Sequence, residues 1–286
     1  MGPKKMAAIA PWACITCRTT VSTPHCPECG EEAIDGRDLG LKHLLIEAFH
    51  SVTNVDSRLI RSFRALLFRP GALTKAYVEG PRKPYISPVQ LFLIVNVIFF
   101  AVQSIARTKV FSTPLDSHLN GQDWSALARI MVAKHLEHNH MTLEAYAPLF
   151  DQAVTVNARG FVFVMALPFT LLLAPLFWGS RRPFATHMVF SLHFYAFQLV
   201  LLCALLAVVL TQAWFGGSPV ASGHTDTALF VAQLAISALY LYVATGTAYG
   251  IRGVRRIATV AVLILAAGCV VLGYRFFLFV ITLYGT

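Results

Sequence analysis

Four cysteines carry the most pointed chemistry in this chain. Cys14, Cys17, Cys26 and Cys29 stand in the pattern C-x2-C-x8-C-x2-C. Two facing C-x-x-C turns set four thiolates at the corners of a tetrahedron, the donor set and geometry that suit zinc. Gly30 follows the last cysteine and lets the second turn fold back toward its sulfur. Pro24 and Pro27 stiffen a segment too short for a core of its own, so a metal would supply most of its folding energy. The expected cofactor is one structural zinc on Cys14, Cys17, Cys26 and Cys29, with every position filled and none open for catalysis. Iron in the same geometry, paired disulfides, and thiols with no shared role are the other readings of the spacing. A reducing compartment argues against the disulfides. Cys203 and Cys269 fall inside apolar runs and read as small core residues.

The elements behind this clip belong to a membrane protein. Of 286 residues, 56% are hydrophobic and 13% charged, the reverse of what a solvated surface needs. The apolar residues come in runs of about 20, enough to cross a bilayer. Five spans are expected: Ile86 to Ala106, Gly160 to Trp178, and then about His187 to Thr211, Thr227 to Gly250 and Ile257 to Thr282. Pro168 and Pro175 should kink the second. No secretory leader is expected, because the first strongly apolar stretch begins near Ile86. The net charge of +9 would suggest nucleic acid in a soluble protein; here it points to anionic lipid, and no nucleic-acid partner is expected.

Basic residues orient the spans. Alternate loops gather seventeen Lys and Arg on one side, including the short turns with Arg181–Arg182 and Arg252, Arg255 and Arg256. The other side has five, balanced by five acids, and Arg275 can snorkel from the last helix. The positive-inside rule then puts the N-terminus and its cysteines in the cytoplasm and the C-terminus outside. The outer loop should form a helical hairpin against the membrane surface. One helix would bury Trp124, Leu127 and Met131, and a second would be kinked at Pro148. Its run HLEHNH, with His135, Glu137, His138 and His140, reads either as a divalent-metal cluster or as a solvated helix end.

The fold expected is an all-α membrane protein. Residues 1–35 form a small cytoplasmic zinc ribbon, 36–85 basic amphipathic juxtamembrane helices, and 86–286 a membrane domain of about five transmembrane helices with an outer helical loop at 107–159. In the juxtamembrane part, Leu41, Leu44, Leu45, Phe49 and Val52 make one apolar stripe. Asp56 or Ser57 can cap a second helix with Leu59, Ile60, Phe63, Leu66 and Leu67 inward and Arg58, Arg61 and Arg64 outward. Pro70 can start a third, which Gly80 and Pro81 can stop. These helices read as a platform on anionic lipid headgroups or as a small domain packed on itself.

Arg69-Pro70-Gly71, Tyr77, Gly80, Arg82, Tyr85 and Pro88 follow in order. With the cysteine clip, they resemble the bacterial membrane proteins grouped as "domain of unknown function 3667". Those proteins have an N-terminal clip, a basic helical stretch, a Pro-Gly, a Tyr, a Gly-x-Arg-x-x-Tyr-x-x-Pro run and spanning helices. The resemblance covers about residues 14–105, roughly a third of the chain. It implies a bacterial inner-membrane location and this architecture, and no particular activity. Two positions depart from it: Pro81 replaces the basic residue usual after the Gly, and the first knuckle ends in Arg18 where Gly is usual. In physical terms, Pro81, Pro84 and Pro88 keep the chain extended before the first span. Arg82, Lys83 and Tyr85 fall at headgroup level, as a structural anchor or as a lipid-phosphate site at Arg82 and Lys83.

No Asp or Glu lies in any expected span, which weighs against a proton-coupled pump. Uncharged polar residues do align: Asn96 and Gln103 on the first span, His187, Ser191, Tyr195 and Gln198 on the third, and Gln233, Ser237, Tyr240 and Thr247 on the fourth. They read as interhelical glue or as a polar path. No nucleophile elbow, phosphate loop, zinc-protease helix or dinucleotide fingerprint appears. The leading expectation is a non-enzymatic protein whose ribbon docks a cytoplasmic protein partner while its basic helices rest on anionic lipid. The alternative is a small-molecule or lipid transporter using the polar stripes, and an enzyme is the last choice.

Overall fold

A computed structural model describes residues 11–24, 26–28, 57–106, 108–180, 182–214 and 223–286. The expected stripe from Leu41 to Val52, and the stretch joining it to the clip, lie outside the described residues. The chain begins with two short strands, β1 (Trp12–Ala13) and β2 (Thr20–Val21). Two juxtamembrane helices follow, α1 (Ser57–Phe68) and α2 (Ala72–Glu79). The first span is α3 (Pro88–Ile105). Beyond it come α4 (Leu115–Asn120), α5 (Ser125–His138) and α6 (Leu143–Phe161). A 3-10 turn (Val162–Met165) joins α6 to α7 (Ala166–Leu176). Three long helices complete the chain: α8 (Phe184–Trp214), α9 (Gly223–Tyr249) and α10 (Gly253–Gly285).

Among the described residues five helical stretches are long and apolar enough to cross a membrane: Pro88–Ile105, Leu143–Leu176, Phe184–Thr211, Thr227–Tyr249 and Gly253–Gly285. This is a multi-pass, all-α membrane protein. The outward faces carry Val97, Leu171, Phe230, Leu239 and Leu265, as a helix surrounded by hydrocarbon requires. At the centre stands α8, packed against α2, α3, α7 and α9 through Val189, Phe190, Ser191, Phe194 and Ala196.

The second span differs from expectation. Its helix starts at Leu143, not near Gly160, because the outer helix runs into the span. Pro148 sits inside α6 without ending it. The backbone tightens only at Val162–Met165. Pro168 accounts for that place: it offers no N–H to the Val164 carbonyl four residues back, and its ring crowds that carbonyl. The outer hairpin therefore does not lie flat. Its second arm stands antiparallel to the end of α10. Tyr274 donates to the Ala158 carbonyl at 3.0 Å, Asn157 to Thr282 Oγ1 at 2.9 Å, and Tyr146 OH lies 2.7 Å from Thr286 Oγ1. Helix α5 also rotates away from the expected face. Leu127 is 48% exposed, and Ala128 and Val132 are buried in its place, with Trp124 and Met131 packed beside them. Small Ala128 lets that helix settle close to its neighbours.

The loops sort to two ends. Arg182 pairs with Glu79 of α2, and the turn at Gly71 abuts Ala244 near the end of α9. Arg256 donates from Nε to the Tyr242 carbonyl at 2.5 Å and lies over the Tyr242 ring. The juxtamembrane helices and both short Arg turns therefore share one end of the bundle. The other end is a cap of α4, α5 and the first half of α6 on α10, with Leu115, His118, Tyr146, Phe150 and Phe279 buried within it.

Candidate metal clip and juxtamembrane motif

The two strands form an antiparallel ribbon with Trp12 opposite Val21 and Ala13 opposite Thr20. The turn between them is closed by Cys14 N–H on the Thr19 carbonyl at 2.9 Å and Arg18 N–H on the Cys14 carbonyl at 2.8 Å. Arg18 takes φ +63, the left-handed conformation that glycine accepts at least cost. The ribbon brings Cys14, Cys17 and Cys26 together, with their sulfurs all within 4.8 Å of one another and Cys17 and Cys26 3.4 Å apart. Sulfurs around a tetrahedral ion with 2.3 Å bonds stand ~3.8 Å apart, so three thiols at this spacing can hold a metal ion. Cys14 and Cys26 are buried against Trp12 and Val21. The Thr19 hydroxyl and backbone, hydrogen-bonded to the sulfur, draw the Cys17 thiol down to about 6, toward the thiolate a metal needs. Cys29 lies outside the described residues. The remaining described cysteines are free thiols, Cys203 half-buried and Cys269 exposed. His135, Glu137, His138 and His140 do not converge: among the described residues the sulfur trio is the one group with metal-ligand geometry.

The juxtamembrane motif folds into a brace. Gly71, between α1 and α2, has φ +83, and a Cβ there would meet the Ala244 carbonyl at 2.6 Å. Only glycine allows that turn to press so close to α9. Gly80 ends α2, with its N–H on the Ala76 carbonyl. Tyr77 is buried, and Arg82 reaches back to it, donating from Nε to the Tyr77 carbonyl at 2.8 Å with its guanidinium 4.8 Å from the ring centre. Arg82 is thus a packing residue here, while Lys83 lies exposed and Tyr85 is half-buried. Arg69 is exposed, its N–H on the Ala65 carbonyl. Ser62 of α1 accepts a hydrogen bond from Ile86 N–H at 3.0 Å, tying this helix to the start of the first span. Ser87 then caps α3, with Pro88 in its first turn. Ile60, expected inward, is 74% exposed. Leu66 is buried as expected, and the helix turns Ser62 and Ala65 inward beside it, because Ser62 must reach the Ile86 backbone.

Four of the ten stripe residues are hydrogen-bonded in pairs between helices, while Gln103 Oε1 and Tyr195 OH are buried without a hydrogen-bond partner. Ser237 donates to Gln198 Oε1 at 2.9 Å, and Thr170 to Ser191 Oγ at 2.9 Å. His187 Nδ1 lies 2.9 Å from the Tyr249 hydroxyl, and that ring stacks on Phe177 with centroids 3.8 Å apart. Tyr240 stacks on Phe197 at 3.7 Å. Asn96 and Gln103 are buried on α3. Gln233 does not join the Ser237–Gln198 pair through its side-chain carbonyl, which is buried without a partner. Besides Thr170, sequence reasoning missed two of the pairing residues. Thr74 of α2 lies 2.9 Å from His193 Nδ1, so α2 docks polar-to-polar on the central helix. Tyr249 closes the His187 contact from the end of α9. Neither stands out, because each is an isolated polar residue whose partner is far along the chain.

Compared with known proteins, the chain matches no curated protein and no solved structure. Residues 56–100 hold α1, α2 and most of α3, the segment that forms the brace, and over that stretch the chain matches the family described as "Protein of unknown function (DUF3667)".

Proposed function

We propose that this protein is a non-enzymatic membrane anchor that presents a zinc-closed clip to a soluble cytoplasmic protein, with its basic helices on anionic lipid. The convergence of Cys14, Cys17 and Cys26 carries the reading. With Cys29 completing the set, four thiolates leave zinc no open position for a substrate, which suits a structural head rather than a catalytic one. Ile15, at the tip of the first knuckle, is 46% exposed, an apolar contact of the kind a docking surface uses. The seventeen basic residues on the clip's side of the alternation favour the cytoplasm, and the resemblance favours a bacterial inner membrane.

The test uses the full-length protein. Purified chain should carry about one zinc, and X-ray absorption should give four sulfur neighbours near 2.3 Å. Cys14→Ser with Cys26→Ser should abolish the zinc. A photo-crosslinker at Ile15 should then capture a soluble protein in cells with the native clip and not with the double variant. Oxygen or nitrogen in the zinc shell would refute the closed site, and crosslinks only to the chain's own helices would refute docking.

A further inference from the structure

We propose that a cleft lined by Arg61, Arg64, Arg69 and Tyr85 binds the phosphate of an anionic membrane phospholipid, in preference to a zwitterionic one. The proposal rests on reading the juxtamembrane helices as lying at the membrane surface, and it names a place on their described residues that is built to take a lipid. Arg61 and Arg64, three apart, share a face of α1, and Arg69 follows in the turn that ends it. With Ala65, Phe68 and Tyr85 they line a cleft of about 600 Å³. All three arginines are exposed. The ion pairs among the described residues are Lys109–Asp151 and Arg182–Glu79, so no described carboxylate neutralises the cleft. Guanidinium groups match phosphate oxygens with paired N–H donors, which makes three of them around one cleft a phosphate site before anything else.

Two observations choose a lipid over a dissolved phosphate. The cleft's depth is fixed by the first span: Tyr85 lies three residues before Pro88, where α3 begins, and Ser62 on the same helix as Arg61 and Arg64 holds the Ile86 backbone. A site tied to the first residues of a span sits in the headgroup layer. In addition, the arginines are flanked by exposed apolar groups. Phe68 is 76% exposed and Ile60 74% exposed. A face with arginines beside bare Phe and Ile is the arrangement of an interfacial helix, charges on phosphates and rings among the acyl chains. Arg82, the arginine that the sequence points to first, is engaged with Tyr77 and leaves this role to α1.

The experiment titrates delipidated full-length protein in a neutral detergent with dioleoylphosphatidylglycerol, dioleoylphosphatidylcholine or inorganic phosphate. Binding is read by native mass spectrometry and by the thermal midpoint. One phosphatidylglycerol should bind saturably per chain. The triple variant R61Q/R64Q/R69Q should bind it on the order of a hundredfold more weakly, since each basic residue near anionic lipid is worth about fivefold. The control R58Q/K75Q, equally basic positions outside the cleft, should bind as the native chain does. Phe68→Ser keeps every charge and should weaken the lipid severalfold, which tests the seat without touching the arginines. Unchanged binding in the triple variant or in Phe68→Ser would overturn the proposal, and so would an equal effect from inorganic phosphate alone. If the control pair weakens binding as much as the triple variant, the basic platform stands and the site falls. If the native chain does not distinguish the two lipids, both fall.

Discussion

Arg18 and His118 each occupy a place that strains their chemistry, and each makes a measurable claim. Arg18 holds φ +63 at the end of the first knuckle, exposed and without a role in closing the turn beyond its backbone. A left-handed residue with a Cβ costs about 1 kcal/mol. Arg18→Gly should therefore tighten zinc binding by about fivefold in a competitive chelator titration, and weaker binding would show that the side chain contributes something the backbone does not. His118 is buried in the cap at the end of the bundle opposite the juxtamembrane helices, where Trp124 Nε1 donates to its Nδ1 at 3.2 Å and the Phe279 ring lies 4.8 Å away. An indole N–H can only donate, so Nδ1 must stay unprotonated. Burial pushes this imidazole down to about 4; the charge of Arg275 adds to the shift and Asp151 opposes it. A folded pKa below the unfolded value of about 6.5 means that the unfolded chain binds the extra proton first. The His118 contribution is complete above pH 6.5 and is lost as pH falls from there toward 4. The thermal midpoint should drop over that window in the native protein and stay flatter in His118→Asn, which keeps an acceptor for Trp124. Equal slopes in both would refute the assignment.

At the scale of elements, two glycines of one motif should behave differently. Gly71→Ala forces a Cβ onto the Ala244 carbonyl at a positive φ, and should cost about 2 kcal/mol or more. Gly80→Ala meets nothing nearer than 3.8 Å and should stay within about 0.5 kcal/mol. Thermal unfolding in detergent would separate the two, and equal losses would mean the turn is not pinned to α9. That pinning was not legible in the sequence, since nothing in Arg69-Pro70-Gly71 names a partner in the fourth span. The five spans were legible, because lipid leaves a long helix no polar face and the apolar runs are unbroken. The union of α6 with α7 was hidden by hydropathy. Glu144, Asp151 and Arg159 mark the first half as an outer segment, yet the backbone continues through them and tightens only ahead of Pro168. Helix boundaries follow backbone hydrogen bonds, while hydropathy follows surroundings, and here the two change at different residues. The convergence of Cys14, Cys17 and Cys26 was legible in their spacing; the arginine cleft was not, because Arg61, Arg64 and Tyr85 meet only once Ser62 has bonded Ile86.

For the whole molecule, five crossings with basic turns at one end require the two ends to face different compartments. Single cysteines at Gly121 and at Ser180, in a background without native cysteines, should report it. An impermeant thiol reagent outside intact cells should reach Gly121→Cys and not Ser180→Cys, and the reverse pattern would invert the proposed orientation. The span lengths differ as well: α3 covers about 27 Å at 1.5 Å per residue and α10 about 50 Å. The seat of Gly71 adds a constraint of time. The turn at Gly71 leaves the ribosome about 170 residues before Ala244 does, roughly 10–30 s at ordinary elongation rates. Through that interval the juxtamembrane helices are synthesised, charged and next to the bilayer, but the surface they lock onto has not been made. On the proposed reading lipid is what they meet first, and their last contact is with their own fourth span.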